Sequence, residues 1–175
     1  MIRQHPPAEL IPDNPLWAMA TNLWRDSSFA NACLAAQTEG CVVSHILVAL
    51  GSAEKGLRWN GTEPDSIGQW RRQATEPLRA LRSDLVKGNG ATDVLRETLK
   101  KAELEAERVE LAWWHQAMCE NRPEPVWQNA PGLAVMELAA DNLAAMPVAL
   151  NNEQQEQLIT VWQAITGPQT QGCHP

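Results

Sequence analysis

The chain has 175 residues with 44% hydrophobic content and a net charge of −7, enough for a domain that buries about two thirds of its unfolded surface. Residues 1–90 carry nine basic and nine acidic side chains, whereas residues 91–175 carry five and twelve. That distribution argues against a nucleic-acid surface, which needs clustered, unopposed Lys and Arg.

Helical periodicity dominates the chain. MIRQHPPAELIPDN reads as a proline-rich arm over residues 1–14, draped or flexible rather than helical. Pro15 suits a first helical turn, so a helix is expected from about Pro15 to Arg25, with Leu16-Trp17 and Leu23-Trp24 repeating at a spacing of seven. Asp26, Ser27 and Ser28 break it and can cap a second helix, Phe29 to Thr38, which Gly40 ends. Cys41 to Leu50 is apolar apart from Ser44 and His45, a central helix buried nearly all round and closed by Gly51 and Gly56. RWNGTEP reads as a loop.

Ser66-x-x-Gln69 has capping-box spacing, and Ile67, Trp70, Ala74, Leu78, Leu81 and Leu85 form a core stripe running to about Lys87. Pro77 within it demands either a kink or a new helix start. After Gly88-Asn89-Gly90 comes the longest helix, residues 91–118. On it Leu95, Leu99, Ala102, Ala106, Val109 and Trp113 make one apolar stripe. Residues 120–132 are irregular, Leu133–Met146 and Glu153–Thr166 read as two further helices, and residues 168–175 read as a disordered tail. The expectation is an all-α, single-domain bundle of six to eight helices with short loops, over residues 15–167: a core at 15–118 and C-terminal helices at 132–167. No apolar run reaches the length of a membrane span and no signal pattern opens the chain, so the expected compartment is the cytoplasm, with Cys33, Cys41, Cys119 and Cys173 reduced.

Leu16-Trp17, Ala32-Cys33-Leu34-Ala35-Ala36-Gln37, Pro77-Leu78-Arg79-Ala80-Leu81-Arg82 and Ala102 to Glu110 occur in the order seen in an uncharacterised proteobacterial family of small helical proteins, domain of unknown function 2390. The chain resembles a divergent member: Ser27-Ser28-Phe29 stands where Pro-Gly-Val is expected, Trp24 where Tyr is expected, and Val42-Val43-Ser44 where Asp-Val-Asn is expected. The resemblance spans residues 14–118. It implies a bacterial, cytosolic helical protein and no activity.

Chemistry-bearing groups are sparse. Phosphate loops, nucleotide fingerprints, nucleophile elbows and His-Glu metal motifs are absent from the sequence, so no catalytic residue, cofactor or metal is expected. His115 and Cys119 have ligand spacing on one helix, but a zinc site would need two more ligands from Cys33, Cys41, His45 or a carboxylate. His45 reads as a neutral imidazole in an apolar helix, and neighbouring Ser44 points about 100° away, too far round to form a nucleophile–base pair. Arg72, Arg79 and Arg82 share a helix face that can pair with the acidic half or meet a partner protein. Glu103, Glu107 and Glu110 form a carboxylate row on the long helix, read as a solvated face able to dock a basic partner. Leu111, Trp114 and Met118 lie on a second apolar line there, either core or exposed patch.

Two hypotheses follow. The first is a non-enzymatic cytosolic protein that binds another protein, one of basic character, through Glu103, Glu107, Glu110, Leu111, Trp114 and Met118. Its rival is a small helical enzyme, or a ligand- or metal-binding protein, with a pocket near His45, His115 and Cys119. Neither nucleic acid nor membrane is an expected partner, and the oligomeric state is left open.

Overall fold

A computed structural model describes residues 5–120 and 126–167. It is mostly helical: α1 Pro15–Leu23, α2 Ser27–Thr38, α3 Val43–Glu54, α4 Asp65–Trp70, α5 Glu76–Asp84, α6 Asp93–Glu120, α7 Val135–Ala144 and α8 Asn152–Thr166. A π-helical turn, Arg71–Thr75, joins α4 to α5, so the two make one rod and the described residues hold seven rods. The expected tail at 168–175, the first four residues of the arm and residues 121–125 lie outside the described residues. The chain divides into two compact units, one of residues up to Ala18 with 62–126, the other of residues 19–61 with those from Trp127 on.

In the second unit α3 is the centre, as its apolar sequence requires. Every residue from His45 to Ala53 is buried. Gly51 does not close this helix; it continues to Glu54, and Gly56, at φ +68°, makes the exit that a side chain would disfavour. Asp26 caps α2 by accepting hydrogen bonds from the Ser28 and Phe29 amides, and Asn151 with Gln154 forms a capping box at α8.

RWNGTEP is not wholly a loop. Leu57–Trp59 (β1) pairs antiparallel with Trp127–Asn129 (β2), placing Trp59 opposite Trp127. Strands of three residues are too short to show alternation in sequence. Asn142 of α7 holds this corner: its carbonyl oxygen accepts from the Trp59 amide at 2.8 Å, and its amide donates to the Ala49 and Leu57 carbonyls at 3.1 and 2.9 Å. The Trp127 indole donates to Ser52 Oγ at 2.8 Å and the Trp162 indole to Glu54 at 3.2 Å. The indole N–H groups of these two buried tryptophans thus find partners on α3.

In the first unit the arm ends in structure. Buried Asn14 donates to the Ile11 and Pro12 carbonyls and accepts from the Trp17 amide, so it, ahead of Pro15, starts α1. That helix stops at Leu23, short of the expected Arg25, and leaves Trp24 exposed. α4 begins at Asp65 after Pro64, which takes the N-cap place that Ser66 would need for a capping box.

The Pro77 dilemma is resolved by the π turn. Proline supplies no amide hydrogen, so an unbroken α-helix would lose a bond there. Instead the Glu76 amide reaches back five residues to the Arg71 carbonyl, the helix widens, and Pro77 sits in the first turn of α5.

Candidate functional site

The distinctive chemistry of the first unit lies along the seam between the α4–α5 rod and α6. Partners run in opposite directions along the two rods, so they are antiparallel: Arg71 with Glu110, Arg79 with Glu107 and Glu103, Arg82 with Glu103, and the Leu85 carbonyl with Arg96. Arg71 is 7% exposed and Glu110 only 2%. The Arg71 guanidinium donates to Glu110 at 3.1 Å and also to Glu63, while Thr75 Oγ donates to Glu110 at 3.3 Å. Arg79 bridges Glu103 at 2.9 Å and Glu107 at 2.7 Å. The Trp70 indole closes the seam on the Ala106 carbonyl at 2.9 Å.

These contacts set the electrostatics. Burial pulls the Glu103 carboxyl upward, but hydrogen bonds and charge from Arg82 and Arg79 outweigh it and hold the group below the usual carboxylate value. For Glu107 burial dominates, and the Glu103 charge adds to it, so its carboxyl lies above that value despite Arg79. The two acids on one arginine are therefore pushed apart.

The carboxylate row is thus no solvated face. Glu103 and Glu110 are buried, and Glu107 is half-buried against Arg79. The reading of Arg79 and Arg82 as intramolecular partners of the acidic half agrees with the structure; Arg71, not Arg72, completes that set. Leu111, Trp114 and Met118 are buried as well, Trp114 completely, so they are core and not an exposed apolar patch. His115 and Cys119 come together, with Nε2 3.8 Å from Sγ. His45 belongs to the other unit, where it is buried and its ring packs against Trp59 with centroids 5.7 Å apart. Among the described residues no group of three His, Cys, Asp or Glu side chains stands ready to hold a metal ion.

Inward-facing charge leaves apolar surface outside. At 100° per residue, the buried set Glu103, Ala106, Glu110 and Trp114 is centred about 60° round α6 from the stripe Leu95, Leu99, Ala102, Val109 and Trp113. Leu95 is consequently 53% exposed, and the other four are only half-buried. α5 repeats the pattern: none of its residues is fully buried, and Leu81 is 56% exposed. Leu78 and Leu81 lie about 100–160° from Arg79, in the same sense that Leu95, Ala102 and Val109 lie about 60–100° from Glu110. In antiparallel rods, displacements of the same sense fall on the same side of the pair. The apolar stripes of the two rods therefore lie on one side of the hairpin, with Leu81 and Leu95 exposed and their neighbours in the stripes half-buried. Spacing alone missed this exposure, because spacing assumes that a helix buries its oily side.

No curated protein and no solved structure matches the chain. A family model, described as a protein of unknown function, DUF2390, matches residues 15–113, more than half of the chain and all of α1 through α5 together with most of α6. With the ordered sequence stretches and the helical architecture, that match settles the affiliation: the chain belongs to the DUF2390 family.

Proposed function

We propose that this is a non-enzymatic cytoplasmic protein that binds another protein through the open apolar face of the α5–α6 hairpin. The observation that carries the reading is the inversion of the hairpin, with ion pairs turned inward and Leu81 and Leu95 turned to water. Exposed apolar surface of this kind marks contact sites. No helix among the described residues is long and apolar enough to cross a membrane. A basic partner drawn to the carboxylate row loses its support, since Arg71, Arg79 and Arg82 already neutralise Glu103, Glu107 and Glu110.

A photoreactive side chain placed at exposed Thr98 tests the reading in living cells. Discrete cross-linked adducts are expected, and Leu81→Arg with Leu95→Arg should abolish them while the helical circular-dichroism signal persists. Cross-linking no greater than from the same probe at exposed Glu153 on α8 would end the proposal.

A further inference from the structure

We propose that the occupant of the hairpin face is a second copy of this chain, an inference that rests on the protein-binding reading above. The face is a layer of two antiparallel rods, and such a layer buries an apolar side only against another layer. A second copy supplies a layer of the same length and the same apolar pattern. A two-fold axis makes the match reciprocal, each stripe meeting its own equivalent.

Charge argues for the same occupant. Two chains of net −7 repel in general, so they can meet only on a locally balanced surface. Leaving aside the seam residues Arg79, Arg82, Glu103 and Glu107, the sequence from Leu78 to Glu107 holds four basic and four acidic side chains. The α6 rim of the face carries exposed Lys101 and Glu105, one turn apart and of opposite sign. An axis passing between them sets Lys101 of each copy beside Glu105 of the other. Glu105 already meets Arg108 at 3.3 Å, a surface pair that leaves its carboxylate 66% exposed and able to take a second cation. A wholly acidic or wholly basic partner would face repulsion from half of this rim.

Sedimentation and light scattering of the full chain, over a wide concentration range, test the proposal. The expected result is a reversible dimer that Leu81→Arg with Leu95→Arg converts to a helical monomer. Lys101→Glu alone and Glu105→Lys alone should each weaken dimerisation by about tenfold, and the two together should restore it to within about twofold. That rescue is the reading a merely structural effect of either substitution would not give. A monomer at every concentration, or a dimer indifferent to all four substitutions, overturns the proposal. The Thr98 probe separates its failure from that of the binding reading. An adduct with a different polypeptide removes the second copy and keeps the face as a binding surface, whereas no adduct removes both.

Discussion

Arg71 on the π turn meets Glu110 of α6 at 3.1 Å, with both side chains withdrawn from water. A buried pair of this kind adds little over an apolar pair of equal volume, but losing one member strands the other. Glu110→Ala leaves Arg71 with Glu63 and a distant Glu76 and removes the acceptor for Thr75. The expected loss in urea-unfolding free energy is about 3–5 kcal/mol, against a near-neutral Arg71→Met with Glu110→Leu. Equal losses in the single and double variants would show that the pair itself supplies the stability.

The same pair shows where sequence reading stops. α3 was legible because ten consecutive positions with two polar exceptions leave a helix no dry-to-wet asymmetry to misjudge. For α6 the length and helical character were equally plain, but the buried side was not. Periodicity ranks side chains by oiliness, and Glu103 and Glu110 become buried only because Arg71, Arg79 and Arg82 arrive from another rod. Nothing local encodes that arrival except the arginine spacing, which did suggest pairing with the acidic half. The π turn was half legible through Pro77, and the β1–β2 corner left no mark beyond Trp59 and Trp127.

Glu103 and Glu107 should pull acid stability in opposite directions. The folded carboxyl of Glu103 lies below the ordinary value of 4.5, so its stabilisation is present above that pH and is lost as pH falls through the lowered folded value. That of Glu107 lies above 4.5, so its contribution is present at lower pH and is lost as pH rises through the raised folded value. Urea midpoints at neutral pH and near pH 4 should therefore differ less in Glu103→Gln than in the parent chain, and more in Glu107→Gln. Parallel changes in both variants would refute the opposed assignment.

Neighbouring residues on α7 offer an internal contrast. Asp141 pairs with Arg58 at 2.8 Å, but both side chains are half in water. Such pairs contribute about 0–1 kcal/mol, so Asp141→Ala should barely move the thermal midpoint. Asn142, one position on, is fully buried and serves three backbone groups of α3 and β1. Asn142→Ala strands these groups, at a cost of about 2–3 kcal/mol. If the two alanine variants unfold alike, the β1 corner is not held by Asn142.

Thiol chemistry gives the last test. Cys33 is fully enclosed on α2, and burial pushes its thiol up to about 12, so it presents almost no thiolate at neutral pH. Cys119, near the end of α6, is exposed beside His115. Under native conditions an aromatic disulfide reagent should modify Cys119 and spare Cys33. Cys33→Ser should leave the native labelling rate unchanged and remove one thiol from the count in denaturant. Cys119→Ser should remove a fast phase. Rapid native labelling at Cys33, read by peptide mass, would mean that α2 opens away from the core of its unit far more often than its burial allows.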